Sequence, residues 1–467
     1  MLMEISNFLR KNRRILILVF LTAFVFRLIF SLPVLFDTKR AFGPGGDARN
    51  YASLAKHLLT THQFGSYPEG IKYREAARTP GYPLFIAFSY LLSGNRNWFV
   101  ILFQCLLDSL VASMLFSIAL IILHNVRAGL IAGMLYSIHP HQMLYTTQML
   151  TEGLFTFLLV VFFILFIKSR RKLFLILSGI LLGIATLTRP ITFYFFIPVV
   201  LVLLYGWRKK LRVALNYSFL FVVVFFLTLS PWYVRNYITF HRVFLSTIGN
   251  WNVGYYNAAF VISFQKGLSL RQAQTYIGEE VKKFYGITDA DFFYATDNPK
   301  ISAEVASYGL KVIRRNLATY SLLHFAGFLN SFVPSEYSFL YKVMGRDRNK
   351  NAEELSPVSK SIIVSSLKTK VRSSIAKLVE IRFKKFPVWF TIIWVAICIF
   401  EFFIYFFAVK GSVYLFGVRK NIFILFVLGI LYFTLIPGPV GDPRFRVPIE
   451  PAIVLLAAAG LFSVHNI

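Results

Sequence analysis

Long apolar segments recur along almost the whole chain, and no feature narrows the accessible folds more. They lie near 15–36, 82–93, 98–123, 128–139, 150–167, 173–188, 191–206, 212–232, 387–409, 421–437 and 446–464. The first, Ile15 to Phe36, has 22 residues, enough at 1.5 Å per residue to cross a hydrocarbon core of about 30 Å. The expected class is an all-α polytopic membrane protein with about 10–11 transmembrane helices. With 57% hydrophobic and 15% charged residues among 467, a soluble globular domain is excluded.

Charge orients the helices. Arg10, Lys11, Arg13 and Arg14 precede the first run and argue for a cytoplasmic N-terminus; no small-residue cleavage pattern follows, so the helix reads as retained. Short basic loops, KSRRK at 168–172, WRKKLR at 207–212 and GVRKN at 417–421, mark the same side. Counting outward from them places Asp47, LTRPIT (187–192), SPWYVRN (230–236) and GDPRFRVP (441–448) on the opposite face. The parity requires that one of the short runs 82–93 or 128–139 not cross fully. The net charge of +29 fits basic loops beside anionic membrane lipids; no basic, aromatic-interleaved soluble module points to nucleic acid. Cys105 and Cys398 lie inside apolar runs and suggest no disulfide framework.

Three regions follow: an N-terminal transmembrane module, 1–235, with a first outer loop at 37–81; an outer domain, 236–386; and C-terminal helices, 387–467. Lys300 to Lys385 carries 16 Lys/Arg against 6 Asp/Glu. Within this stretch, 318–334 has helical spacing of apolar residues and is expected to lie along the membrane surface.

In the first outer loop, GPGGDARNYASLAKHLL sets Asp47 ahead of an apolar stripe at helical spacing, Tyr51, Leu54, Ala55 and Leu58. Two readings stand: Asp47 as a simple N-cap behind flexible glycines, or as a functional carboxylate on an amphipathic helix in the interface. Arg78 in EAARTPGYPLF, Arg189 in LTRP, and Arg444 and Arg446 in GDPRFRVP each sit where a chain enters an apolar run. One such arginine is an ordinary snorkelling residue; several at one depth make a pocket for a lipid phosphate. Glu152 opens a helix, where a carboxylate suits the dipole, and as a second acid beside Asp47 it would bind a cation or orient an acceptor. His139, His141 and Glu152 match no metal-ligand spacing; no cofactor is required and a divalent cation stays an option. Arg27 and Asp108, charges inside apolar runs, are expected to pair. No nucleotide-binding motif and no sizeable cytoplasmic domain are evident, so a transferase of this build needs a donor activated on a lipid phosphate.

The ordered set GDARNY, RTPGYPLFIA, HPHQMLYTTQMLTEGLF, LTRPITFYFFIP, SPWYVRNYITF and DPRFRVPIEPAIVLLAAAGL resembles the GT-C superfamily of membrane glycosyltransferases. The nearest branch is that of bacterial relatives of the dolichyl-phosphate-mannose protein mannosyltransferases and the lipid A aminoarabinose transferases. The resemblance implies transfer of a sugar from a polyprenyl-phosphate carrier, such as undecaprenyl phosphate, to an acceptor (lipid, glycan or protein) on the outer face of a bacterial cytoplasmic membrane. It assigns Asp47 as catalytic base, Glu152 as a second acidic position, and Arg78 and Arg444 as donor-phosphate contacts, with Arg446 and Arg189 beside them. Tyr51, Tyr82 and His141 are expected to touch substrate; for Trp251, Tyr255 and Tyr256 in the outer domain two readings stand, stacking on sugar rings or anchoring at the membrane interface. Many relatives carry Asp-Glu where this chain has Asp47-Ala48, a departure that separates it from true protein mannosyltransferases. The alternatives are a lipid-linked oligosaccharide polymerase or ligase, a non-catalytic flippase of polyprenyl-phosphate sugars, and an accessory subunit.

Overall fold

A computed structural model describes residues 11–43, 46–66, 73–293, 295–334, 340–341, 343 and 387–464. The basic stretch 344–386 therefore lies outside the described residues.

The described chain is helical except for a two-residue antiparallel ladder, Gly65↔Arg74 and Ser66↔Tyr73, in the first loop. In order the helices are α1 (Arg13–Phe36), α2 (Asp47–Thr61), α3 (Gly81–Ser93), α4 (Asn97–Leu123), α5 (Val126–Ser137), α6 (Pro140–Thr146), α7 (Glu152–Ile167), α8 (Lys172–Thr188), α9 (Phe196–Gly206) and α10 (Leu211–Phe240). A layer of amphipathic helices follows: α11 (Ala258–Lys266), α12 (Leu270–Tyr285), α13 (Pro299–Arg315) and the more apolar α14 (Leu317–Asn330). The chain closes with α15 (Val388–Val418), α16 (Lys420–Leu435) and α17 (Glu450–Val464).

Among these, α1, α4, α10, α15 and the segment 443–463 are long and apolar enough to cross a membrane. Six more helical stretches are apolar but shorter, α3 and α5 among them with 13 and 12 residues. The chain is an integral membrane protein. The segment expected to lie on the membrane surface, 318–334, forms α14, which tucks its Gly327 against the backbone of Gly438.

Why α17 ends up at the centre is legible in its residues. Residues 450–460 are all buried, and AAAG at 457–460 presents almost no side-chain bulk. Lipid tails supply no hydrophobic drive between helices, so close approach of small residues is what gains contact. Gly411 of α15 and Gly460 of α17 face each other so closely that a Cβ on either would fall onto a carbonyl of the other helix, that of Leu456 or Phe407. The expected Arg27–Asp108 pair is formed: Arg27 Nε donates to Asp108 Oδ2 at 2.5 Å, and the Tyr136 hydroxyl donates to Asp108 Oδ1 at 2.5 Å, all three fully buried. This ties α1, α4 and α5 together through charges that have no water to fall back on.

A candidate active site at the helix ends

Asp47 is the first residue of α2, but it does not cap the helix. The capping position is Gly46, and no side chain caps there. The carboxylate turns outward instead: Asp47 Oδ1 accepts from Arg78 Nη2 at 2.6 Å, and Oδ2 accepts from Arg444 Nη1 at 3.0 Å. Of the two readings the sequence left open, the cap is thereby removed.

Arg444 continues the chain. Its Nε donates to Glu152 Oε1, the same oxygen that Arg189 Nη1 reaches at 2.9 Å. Glu152 is the first residue of α7 and is fully buried, while Asp47 keeps a third of its side-chain surface exposed. Five side chains distant in sequence thus form one alternating ion-paired row, Arg78, Asp47, Arg444, Glu152, Arg189. Three guanidiniums against two carboxylates leave this row with one positive charge in excess.

Each member is held by local structure. The Arg78 backbone N–H donates to Glu75 Oε1 at 2.6 Å, which fixes the turn before α3, and its guanidinium lies over the Tyr51 ring at 5.2 Å. Tyr51 meets Tyr82 edge to face at 5.1 Å, and the Tyr82 hydroxyl donates to Gln104 Oε1 at 2.6 Å. Gln104 in turn donates to the carbonyls of Thr146 and Gln148 at 3.0 and 2.7 Å, anchoring the turn that leads into Glu152. Arg189 ends α8 and lies over Phe155 and Phe445 at 5.6 and 5.8 Å. Arg444 sits in a short 3₁₀ turn before α17, where Asp442 Oδ1 accepts its backbone N–H at 3.1 Å.

Electrostatics follow from this row. Burial pushes the Asp47 carboxyl up, but the charges of Arg78 and Arg444 outweigh it and hold the group well below the usual carboxylate range. Burial raises the Tyr51 phenol. Tyr256, in a six-residue π-helical turn at Asn252–Asn257, is raised first by burial and then by the charge of Asp47. Trp251 and Tyr255 stack on each other with centroids 4.4 Å apart.

Two expected site residues lie elsewhere. Arg446, two residues beyond Arg444, is fully buried and pairs with Glu450 through Nε and with Glu401 Oε1 through Nη2 at 3.2 Å. His141 faces the same cluster, its Nδ1 3.4 Å from Glu450 Oε1, and not the Asp47 row. The reason is geometric: a tight turn sends side chains at i and i+2 to different faces, Arg444 toward α2 and α7, Arg446 toward α15. His139 joins them, with Nε2 3.4 Å from Glu450 Oε2 and 3.9 Å from Glu401 Oε1.

Carboxylate and imidazole atoms of His139, Glu401 and Glu450 all lie within 4.8 Å of one another, a donor set of the kind that takes a divalent metal. Arg446 already supplies positive charge to both acids. Glu152 lies apart from these histidines: it is engaged by arginines, and Glu401 and Glu450 face the histidines instead. Nor do Asp47 and Glu152 face each other as a cation site, because Arg444 lies between them.

Gln104, Tyr145, Tyr256 and Glu401 were not singled out as belonging to these clusters. For Gln104 and Glu401 the signal was present, a polar group inside an apolar run. Tyr145, which acts electrostatically on Arg189 and Arg444, and Tyr256 carry no local mark of their place.

Comparison with known proteins follows the same lines. Residues 77–234, which hold Arg78, Glu152 and Arg189, match the family model described as dolichyl-phosphate-mannose-protein mannosyltransferase. No curated protein sequence matches the chain. Among solved structures, the archaeal oligosaccharyltransferase AglB from Archaeoglobus fulgidus, in complex with an inhibitory peptide and a dolichol-phosphate, aligns at TM-score 0.52 and 11% identity over 97% of this chain and 51% of that one. The apo form of the Archaeoglobus fulgidus oligosaccharyltransferase gives 0.52 and 12%, over 97% and 50%. ArnT from Cupriavidus metallidurans bound to undecaprenyl phosphate aligns at 0.42 and 13%, over 95% and 77%. The chain spans about half the length of the oligosaccharyltransferase structures it matches. The fold is that of the archaeal oligosaccharyltransferase, and residues 77–234 are similar to the mannosyltransferase family.

Proposed function

We propose that this protein transfers a sugar from a polyprenyl-phosphate carrier to a hydroxyl acceptor, with Asp47 as general base and Arg78 and Arg444 as the groups that receive the carrier phosphate. The observation that carries this reading is the ion-paired row with one positive charge in excess and a partly exposed carboxylate at its open end. A sugar phosphodiester carries a single negative charge, which balances the row; the departing phosphate monoester carries more, and charge develops where guanidiniums already point.

An acceptor hydroxyl does not ionise at neutral pH, so a base must take its proton as it attacks the anomeric carbon. Asp47 in its paired state is a weak base, because two guanidiniums stabilise its anion. A phosphate that draws Arg78 and Arg444 toward itself reduces that stabilisation and makes the carboxylate more basic when donor is present. Glu152 keeps Arg444 and Arg189 in place from the buried side, and attack at one centre with departure from the other face inverts the anomeric carbon. Tyr51 and Tyr82 stiffen the wall under Arg78. The active site is assigned to the outer face, the acceptor is left as a lipid, glycan or protein, and no step requires a metal.

The fold shared with an oligosaccharyltransferase supports a second reading, transfer of a lipid-linked oligosaccharide; in the polymerase or ligase form of that reading the donor is a diphosphate. One experiment separates them: purified protein is given polyprenyl-phosphate and polyprenyl-diphosphate sugars with a hydroxyl acceptor, and the released carrier is identified. Monophosphate release that falls by about 10²-fold or more in Asp47→Asn at equal folding yield supports the transferase. Diphosphate release favours the second reading, and full turnover by Asp47→Asn removes the base.

A further inference from the structure

The three basic loops that mark one side of the membrane meet around a single cavity, at the end of the bundle opposite the Asp47 row. α7 fixes the separation: Glu152 begins it, Ile167 ends it and lines the cavity, about 22 Å away at 1.5 Å per residue. The cavity has a volume of 1070 Å³, at the upper end of the roughly 300–1,000 Å³ common for small-molecule pockets.

Its rim is cationic. Lys168 and Arg170 come from the first loop, Arg419 and Lys420 from the third, and no acidic residue lines it. The middle loop contributes Gly206 and Trp207, and Gly206 approaches Asn421 so closely that a Cβ there would touch its Nδ2 at 3.7 Å. Arg419 is tied to the rim while staying exposed: its Nε donates to the Ile122 carbonyl at 3.4 Å, and its Nη2 lies 2.7 Å from His124 Nε2. The deeper walls are apolar, with Leu120, Phe166, Val202 and Leu425 all buried in the bundle.

Positive-inside topology accounts for basic loops, but it asks only for charge on a surface. Here the charges surround a cavity whose floor is hydrocarbon. A free phosphate has no use for that floor, and a zwitterionic lipid brings a cation against four others. We propose that the cavity is a binding site for an anionic diacyl phospholipid, its phosphodiester held by Lys168, Arg170, Arg419 and Lys420 and the start of an acyl chain lying on Leu120, Phe166 and Leu425.

The test uses the full chain in nanodiscs made from equal amounts of phosphatidylglycerol and phosphatidylcholine, with lipids retained by the protein counted by native mass spectrometry. Wild type is expected to retain phosphatidylglycerol over phosphatidylcholine by roughly tenfold. Lys168→Gln with Arg419→Gln should bring the ratio close to one. Arg419 also holds the Ile122 carbonyl, so Arg170→Gln with Lys420→Gln serves as a second variant that leaves that contact intact, with the ratio again expected to fall. Melting temperature is read in parallel, in the mixed discs and in discs of phosphatidylcholine alone with and without inorganic phosphate. Equal retention of both lipids by wild type, or an excess that survives in both variants, overturns the assignment. Stabilisation by inorganic phosphate equal to that by phosphatidylglycerol also overturns it, by identifying a water-borne anion as the ligand.

Discussion

Arg444 is the residue on which the row turns, because it touches two acids through two different nitrogens, Asp47 through Nη1 and Glu152 through Nε. A lysine offers one point charge and cannot span both. Arg444→Lys is therefore expected to fold but to lower carrier release by roughly 10²-fold, with kcat falling more than KM rises, measured as initial rates over a range of donor. Most of the row was visible in the sequence, since Asp47, Arg78, Glu152, Arg189 and Arg444 each stand where a polar motif meets an apolar run. What the sequence could not separate was Arg444 from Arg446. Their neighbourhoods in GDPRFRVP read alike, and only the turn before α17 sends one to the open row and the other to Glu401 and Glu450. Glu401 carried a signal, a carboxylate in the middle of an apolar span, but its partner lies 45 positions away, and no local pattern reports that pairing.

Between elements, two contacts set the position of the first outer loop. Glu75 lies buried beside Asp297, which follows α12 in the outer layer, and the Ala76 N–H reaches Asp297 Oδ1 at 3.4 Å. Burial first, and then the charge of Asp297, push the Glu75 carboxyl up to about 8. In the window between the ordinary 4.5 and about 8 the folded protein holds a proton that the unfolded chain has lost. Stability must therefore fall as pH rises through that window. The melting temperature of the wild type should be lower at pH 9 than at pH 6, and Glu75→Gln should flatten the difference; an equal slope in both would exclude Glu75 as the source.

The second contact is Gly81 at the start of α3, where a Cβ would lie 2.8 Å from the Leu187 carbonyl and against the Thr188 hydroxyl. Gly81→Ala must push α3 from α8, and with it Arg78 from Arg189. About 1–3 kcal/mol of stability should be lost, readable by thermal unfolding, together with weaker donor binding. The helices themselves were legible from apolar run length, whereas the contact of Glu75 and Ala76 with Asp297 was not, because nothing in the sequence around these residues marks them as neighbours.

For the whole molecule, the site depends on the seating of α17 in the centre of the bundle, which delivers Arg444 from the far end of the chain to residues in α2 and α7. The Gly411–Gly460 crossing permits that seating. Gly411→Leu is expected to abolish carrier release and reduce recovery of folded protein severalfold in size-exclusion chromatography, although residue 411 touches none of the five members of the row. Retained activity with normal recovery would show that α15 and α17 tolerate separation. Composition and run length announced an apolar bundle; they did not reveal which helix is innermost, because burial by protein and burial by lipid select the same residues.

The dispersal of the row along the sequence bears on synthesis as well as on chemistry. Asp47, Arg78, Glu152 and Arg189 all leave the ribosome before Arg444, which among the described residues is the one ion-paired link between the two carboxylates. Until that residue arrives, Asp47 has Arg78 alone and Glu152 has Arg189 alone. A chain arrested anywhere upstream of position 444 lacks the guanidinium that joins the two carboxylates, so on the function proposed above an unfinished polypeptide has no assembled centre with which to consume a lipid carrier.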